Sequence, residues 1–150
     1  MRGRLSPRDS FIFRFKTFSN FESALEEIFS PSAASVILYM AARKCGALEC
    51  KELLREVGAR EEAMKALSRR KREENWGEIS FQDVNFSDGE GRVVVLNSFE
   101  AVARRSDEAC CHFLRGFLAG FLSELLSKNV VVVERKCAAK GDEYCEFVFK

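Results

Sequence analysis

The sequence has no excess of charge and no long apolar run, and each absence excludes a class of protein. Lys and Arg number 24 against 23 Asp and Glu, a formal net charge of +1, whereas a dedicated nucleic-acid-binding protein carries a large basic excess. No stretch of about 18 uncharged apolar residues is present, so no membrane span is expected. No apolar segment follows residues 1–4, so we expect no signal peptide and a cytoplasmic location.

The motifs of common catalytic classes are also missing. No G-x-G-x-x-G follows a strand pattern and there is no P-loop, so cofactor-dependent redox or phosphoryl-transfer chemistry has no direct support. A single histidine, His112, restricts triad chemistry; we expect it to be a polar residue near the surface and not a metal ligand. No C-x-x-C occurs among the six cysteines, which argues against a zinc ribbon or a thioredoxin-type centre.

What is present is a globular composition rich in phenylalanine. The 150 residues are 47% hydrophobic, which suffices for one compact domain over residues 1–150. There are 14 Phe against two Tyr and one Trp, and Phe fills space without a polar group that needs a partner. Because we expect no secretion signal, the cysteines are expected to stay reduced, as metal ligands, reactive groups or small core residues.

Residues 1–75 are predicted to be mainly helical. The exception is residues 10–17, where three phenylalanines alternate with charged residues, the pattern of a half-buried strand. Ser19 followed by Glu22 predicts a capping box that opens a helix through Phe29. Gly46 is expected to end the next helix, which begins at Pro31. Helical spacing then continues over residues 48–58 and 61–75, and the basic run of residues 69–72 is expected to be a solvated helix end.

The second half alternates strands with one long helix. Residues 76–97 predict a β-hairpin around Asp88-Gly89-Glu90-Gly91, and residues 97–103 a connector with a short helical turn. Residues 106–150 predict the longest helix, over residues 107–127 with Ser106 as its cap, followed by strands over residues 130–137 and 143–149. The expected class is α+β, an antiparallel sheet of about five strands packed against helices, with that long helix nearly encircled at the centre.

Glu134 is anomalous because it interrupts a run of valines in a strand that should be buried. An unpaired buried carboxylate is costly, so it needs either a cationic side chain or a metal ion. Cys137 and Cys145 flank a turn nearby and Cys111 offers a fourth donor, which together make a credible tetrahedral zinc shell. Strict alternation places Glu134 and Cys137 on opposite faces, so this shell requires a bulge or strand end. The alternative is an inert pair of hairpin cysteines with Glu134 bonded to Arg or Lys.

Two segments of the sequence resemble the 4-vinyl reductase domain family. They are CHFLRGFLAG, which begins at Cys111, and VVVVERKCAAKGDEYCEF over residues 130–147; the resemblance extends from about residue 97 to the end of the chain. It implies a fold similar to the small subunits of the TRAPP vesicle-tethering complex and to haem nitric-oxide-binding domains. Some members of the family are the aromatic-effector sensors of phenol-responsive transcription activators, and others are small hydrocarbon-binding proteins.

The resemblance also implies a set of ligands for a structural zinc ion. In the sensor branch the metal is held by a helix cysteine, a strand glutamate and two hairpin cysteines, which correspond here to Cys111, Glu134, Cys137 and Cys145. Cys110 is adjacent but out of register, and we expect it to be a core thiol beside the site.

A ligand pocket is expected near the long helix. Gly116 and Gly120 form a stripe without side chains, which indicates either close packing of another element or room for an apolar molecule. The resemblance favours a pocket between the helices and the sheet. Its expected wall residues are Tyr39, Trp76, Phe99, Phe117 and Phe121.

The sequence therefore favours a non-catalytic module that binds or senses a small hydrophobic or aromatic molecule. Structural zinc would make it rigid, and it would act through a regulatory protein partner or as a homodimer. Two alternatives are retained: a protein-interaction scaffold like the tethering-complex subunits, and a reductase of vinyl groups. A closed four-ligand zinc leaves no position for a substrate, which disfavours the enzyme.

Overall fold

The computed structural model describes residues 9–150; residues 1–8, which the domain and signal-peptide predictions include, lie outside the described residues. The helices are α1 (Phe15–Phe29), α2 (Pro31–Val57), α3 (Arg60–Glu73), α4 (Phe99–Val102) and α5 (His112–Leu126). The strands are β1 (Glu78–Asn85), β2 (Glu90–Leu96), β3 (Val132–Lys136) and β4 (Cys145–Phe149). They form one antiparallel sheet in the order β1-β2-β4-β3. The predicted α+β class is confirmed, with four strands in the sheet.

The expected strand over residues 10–17 is wrong. Residues 10–14 are irregular and α1 begins at Phe15, while the Phe11 and Phe13 side chains are 84% and 50% exposed. Helical spacing outweighs the short alternation because it brings Phe18 and Glu22, four residues apart, onto the face of α1 that packs against the rest of the chain. Ser19 therefore lies inside the helix and does not cap it; its hydroxyl donates to the Ala103 carbonyl at 3.4 Å.

Gly46 does not end a helix, because α2 is a single helix of 27 residues. The helix ends at Gly58, whose φ of 77° is the left-handed conformation that favours glycine at this position. Gly46 lies instead where α2 crosses α5, and a Cβ there would overlap the carbonyl oxygen of Phe117. A glycine that resembles a helix stop in sequence thus serves here as a site of close backbone approach.

α5 begins later than predicted, at His112, and it has 15 residues against 27 in α2, so the prediction that it is the longest helix is wrong. Ser106 instead accepts the N–H of Glu108 in an exposed turn. The start of α5 is fixed by the carboxylate of Glu100, which accepts the N–H groups of Phe113 at 3.1 Å and Leu114 at 2.6 Å, two of the donors that a helix leaves without intrahelical partners. The expectation of a central helix is confirmed, since ten of the fifteen residues of α5 are buried.

The hairpin of β3 and β4 contains the irregularity that the metal site requires. Glu134 pairs with Phe147 and Lys136 with Glu146, so the register shifts between them. One extra residue on β3 changes which face the following side chain occupies. Strict alternation is broken at this point, and Glu134 and Cys137 can face the same site. No helix within residues 9–150 has the length and hydropathy needed to cross a bilayer.

Candidate functional site

The structure brings all four predicted metal ligands together. The donor atoms of Cys111, Glu134, Cys137 and Cys145 all lie within 4.8 Å of one another. Sγ of Cys111 is 3.9 Å from Sγ of Cys137 and 3.8 Å from Sγ of Cys145. Two thiolates on a tetrahedral zinc ion, each at about 2.3 Å from the metal, are about 3.8 Å apart. The sulfur atoms therefore already have the separations that tetrahedral coordination demands.

Main-chain geometry holds the two hairpin cysteines in place. Cys137 follows β3 directly and Cys145 opens β4, with a short 3-10 turn between them. The N–H of Cys137 donates to Oδ2 of Asp142 at 2.8 Å, and the N–H of Ala138 donates to Sγ of Cys145 at 3.3 Å. Such contacts orient the ligands from outside the shell. Cys111 is not part of this hairpin; it is the residue that precedes α5.

The carboxyl group of Glu134 has one bonded and one free oxygen. Oε2 accepts the N–H of Cys111 at 3.0 Å, whereas Oε1 is buried and has no hydrogen-bond partner among the described residues. No Arg or Lys within residues 9–150 forms an ion pair with Glu134. Burial raises the pKa of Glu134 to about 8. A buried carboxylate oxygen without a hydrogen-bond partner, on a side chain that adjoins three thiols, fits a candidate metal ligand and not the alternative of an Arg or Lys pair.

The four donors cannot all be anionic without a cation among them. Hydrogen bonds from neighbouring thiols lower the pKa of Cys137, while hydrogen bonds with those neighbours raise the pKa of Cys111. The thiolate form is therefore favoured at Cys137, whereas the protonated thiol is favoured at Cys111. A divalent ion would remove this conflict, since zinc binds cysteine as the thiolate. Three sulfur atoms and one oxygen would supply a bound ion with four protein ligands, the number that structural zinc sites use.

Two further side chains adjoin the shell. The Cys110 thiol is buried and lies 4.0 Å from Sγ of Cys137, beside the site as expected. The hydroxyl of Ser98, on the segment that leads into α4, lies 3.6 Å from Sγ of Cys111. Sequence reasoning missed Ser98, because nothing in the local pattern relates it to a cysteine 13 residues away.

Three of the predicted pocket residues form one aromatic cluster. Trp76 lies 5.1 Å from Phe99 and 4.9 Å from Phe117 between ring centroids. Phe18 of α1 and Phe113 of α5, which sequence reasoning missed, complete this aromatic cluster at 5.1 Å and 6.0 Å from Phe99. The rings meet edge-on or tilted, as aromatic pairs prefer.

The other four predicted pocket residues lie elsewhere on α2 and α5. The Tyr39 ring contacts the guanidinium of Arg115, and Phe121 packs near Phe81 of β1. A Cβ at Gly116 would overlap the Tyr39 carbonyl and one at Gly120 the Arg43 carbonyl. The backbone of α2 thus occupies the space above both glycines, which is the close-packing alternative.

A cluster of buried carboxyl groups links α1 to the start of α5. The Glu22 and Glu100 side chains belong to residues that are 1% and 2% exposed. Burial raises the pKa of Glu22 to about 7 and that of Glu100 well above its usual range. Arg104 donates to Glu22 at 2.7 Å and also pairs with Glu26. Arg104 pairs with Glu22 and Glu26 but forms no ion pair with Glu100 among the described residues, so burial favours the protonated form of Glu22 and of Glu100.

Residues 92–150 match the model of the V4R domain, and the family resemblance read from the sequence is confirmed over this segment. Among curated proteins, a 40-residue segment is 55% identical to an uncharacterised protein of Methanocaldococcus jannaschii, covering 27% of this chain and 23% of that one. A 60-residue segment is 35% identical to the phenol regulator MopR of Acinetobacter guillouiae, covering 37% of this chain and 11% of MopR. The matched segments thus span a quarter or less of these relatives.

Solved structures extend the likeness to the whole fold. The phenol-responsive sensory domain of the transcription activator PoxR, solved with phenol, aligns at a TM-score of 0.80 with 15% identity, over 94% of this chain and 76% of that one. A vinyl-4-reductase family protein of Methanocaldococcus jannaschii gives 0.67 with 17% identity, over 95% and 84%. A trafficking protein particle complex subunit 3 of Naegleria fowleri, covalently bound to palmitic acid, gives 0.64 with 13% identity, over 91% and 93%.

Proposed function

We propose that this chain, whose residues 92–150 match the V4R domain, is a non-catalytic module that binds or senses a small hydrophobic or aromatic molecule. The observation that carries the proposal is the aromatic cluster of Phe18, Trp76, Phe99, Phe113 and Phe117. Its rings come from α1, the α3–β1 connection, α4 and α5. A flat apolar ligand inserted among these rings would contact all four parts of the chain.

Structural zinc is the second part of the proposal. Cys111, Glu134, Cys137 and Cys145 would hold the ion, and the ion would supply a rigid link between the start of α5 and the β3–β4 hairpin. The free Oε1 of Glu134 and the separations of the sulfur atoms support this assignment. Since Phe113 lies two residues beyond Cys111, the metal would also fix one wall of the aromatic cluster. Buried thiols that must stay free for the metal fit a reducing, cytoplasmic location.

Binding in the aromatic cluster would be signalled through α1 and α2. Phe18 lies on the inner face of α1, whereas Ile28 and Phe29 on the same helix are 70% and 55% exposed. Val36 and Met40, one helical turn apart on α2, are each 58% exposed. Exposed apolar groups in this number are typical of an interaction surface. We therefore propose that α1 and α2 form the interface of a homodimer or the contact with a regulatory protein.

Ligand binding is tested by titration of the purified chain with phenols, alkylbenzenes, fatty acids and tetrapyrroles. The readouts are the fluorescence of Trp76, the one tryptophan of the chain, and the melting temperature. A ligand at about 100 times its dissociation constant adds about 2.7 kcal/mol to the free energy of unfolding. Phe113→Ala should weaken binding about tenfold, because an aromatic contact is worth about 0.5–1.5 kcal/mol beyond its buried area. Phe11→Ala, which changes an exposed ring, should leave binding unchanged.

The scaffold remains the second candidate because of the apolar residues exposed on α1 and α2. If no apolar compound changes the fluorescence or the melting temperature, while sedimentation shows tight self-association that Met40→Glu abolishes, the scaffold replaces the binding module. Turnover of NAD(P)H with a vinyl compound would instead favour the reductase. Binding of an aromatic compound without turnover supports the proposal as stated.

A further inference from the structure

We propose that a groove between α3 and β1 is a second binding site, for a small apolar molecule that carries one acidic group. The groove has a volume of about 610 Å³ and is lined by residues of α3, of β1 and of the turn that follows β1. None of its lining residues belongs to the aromatic cluster or to the metal site. The inference therefore goes beyond the proposed function and is tested separately from it.

The floor of the groove is apolar. It is formed by Met64 of α3 and by Ile79, Phe81, Val84 and Phe86 of β1 and the turn that follows. Met64 and Ile79 are nearly fully buried, whereas the other three are partly exposed. Partly exposed side chains that converge on one concave surface provide the apolar contact that small-molecule sites require.

The rim of the groove carries two cations that have no side-chain partner in the part of the chain that the structure describes. Four consecutive basic residues occupy positions 69–72, but the helix divides them between two faces. Arg70 pairs with Glu49, Glu52 and Glu56 of α2, and Lys71 with Glu49 and Glu74. Those ion pairs engage the two middle residues of the basic run. Arg69 and Arg72, at its two ends, take no part in them.

Arg69 and Arg72 lie about 60° apart around the helix axis, and both line the groove. Within residues 9–150 the guanidinium group of neither residue forms an ion pair or a hydrogen bond. Lys65 also lines the groove but bonds to Glu62. Glu61 is the one acidic residue of the lining, so positive charge is in excess at the rim.

An apolar floor beneath unpaired guanidinium groups is complementary to an anionic amphiphile. Guanidinium binds carboxylate through two parallel hydrogen bonds, which gives Arg an advantage over Lys in this role. A volume of about 610 Å³ lies in the range of about 300–1,000 Å³ that is typical of small-molecule sites. The occupant that best fits both properties is a free acid with an aliphatic or aromatic body.

The test compares decanoate with decanol by calorimetric titration of the full chain, below the concentrations at which either aggregates. We expect decanoate to bind more tightly than decanol, because only decanoate engages the two arginines. Arg69→Glu/Arg72→Glu should weaken decanoate binding by at least about tenfold and leave decanol nearly unchanged. Both arginines are exposed, so the variant should fold. Ser68→Phe, which places a ring in the groove, should weaken the binding of both compounds.

The matched control is Arg55→Glu/Arg60→Glu, which makes the same change of net charge at exposed positions outside the groove. It should bind decanoate as the unmodified chain does. Equal loss in both double variants, or no preference for decanoate over decanol, would overturn the inference. So would an acidic amphipathic peptide that binds more tightly than decanoate and displaces it. Phenol titration of Arg69→Glu/Arg72→Glu by Trp76 fluorescence tests the aromatic cluster separately, because that signal should be retained whichever way decanoate behaves.

Discussion

Glu134 reaches across the fold to the start of α5, where its Oε2 accepts the main-chain N–H of Cys111 at 3.0 Å. The Oε1 atom of the same carboxyl group has no hydrogen-bond partner within residues 9–150, and the side chain adjoins the three thiols. One side chain thus has two roles: it satisfies a donor at the end of a helix and offers a carboxylate oxygen to the candidate metal site. A substitution at Glu134 should affect both roles, and the two can be separated.

Glu134→Ala should abolish metal binding and lower the free energy of unfolding by about 4 kcal/mol or more, since loss of a metal is among the largest single-residue effects. Glu134→Gln should retain the hydrogen bond to Cys111 but bind the ion weakly. Its free energy of unfolding should therefore lie between those of the unmodified chain and Glu134→Ala. Metal analysis of the unmodified protein, purified without chelators, is expected to give about one zinc per chain. Urea unfolding measures the stability of each variant. Cys45→Ser, at an exposed thiol, is the control; a metal-free chain of unchanged stability would refute the assignment.

Glu100→Ala should lower the free energy of unfolding by about 2–4 kcal/mol, because it leaves the N–H groups of Phe113 and Leu114 buried without an acceptor. Glu100→Gln should cost clearly less. Its amide oxygen can still accept, and burial already raises the pKa of Glu100 well above its usual range. Urea unfolding of the two variants measures the difference. If both substitutions cost the same, charge and not hydrogen bonding is what Glu100 contributes.

Glu22 should make the protein less stable as the pH rises. Burial raises the pKa of Glu22 from 4.5 to about 7 in the folded chain, so the folded state holds this proton more tightly than the unfolded state does. The contribution of Glu22 to the free energy of unfolding is therefore fully present below about pH 4.5 and is lost as the pH rises through about 7, by about 3 kcal/mol at most.

Glu22→Gln should flatten this pH dependence, and urea unfolding at about pH 5.5 and about pH 8 measures the change. Glu27→Gln, at an exposed position of the same helix, should retain the dependence of the unmodified chain. An identical decline in all three proteins would assign it to other groups.

Gly120→Ala should lower the free energy of unfolding by about 1–3 kcal/mol or more, because the new methyl group overlaps the backbone of α2 at Arg43. Helix propensity alone would make the same change favourable by about 1 kcal/mol, so the sign of the effect separates the two causes. Gly58→Ala is the comparison: there is open space at that position, and only its left-handed backbone opposes the substitution. Thermal unfolding of both variants provides the measurement.

Sequence patterns were most informative where the interactions are local. The candidate ligands of the hairpin were identified because Glu134 is a carboxylate in an apolar strand and because Cys137 and Cys145 flank one turn. The need for an irregular register before Cys137 followed from strand alternation, and the shift is present. Cys111 was available from the sequence as a fourth donor, and the family resemblance strengthened that assignment, because spacing alone does not relate a helix start to a hairpin.

The remaining features depend on contacts between distant segments. Glu22 and Arg104 are 82 residues apart, and each alone resembles an ordinary surface charge. Gly46 has the appearance of a helix stop until the position of Phe117 is known. The alternation of Phe11 and Phe13 predicts a strand, but a strand also needs an adjacent strand to pair with. The local structure follows instead from Phe18 and Glu22, which lie four residues apart on the packed face of α1.

The register shift in β3 places a constraint on chain length as well as on composition. Arg135 is exposed, and its side chain would tolerate many replacements, yet the residue itself cannot be dispensed with. Deleting it would restore regular alternation and move each side chain after Glu134 to the opposite face of the sheet. Cys137 would then point away from the other three donors, although all four residues would still be in the sequence. In this hairpin the number of residues between Glu134 and Cys137 determines whether the donors meet, whereas the side chain at position 135 does not.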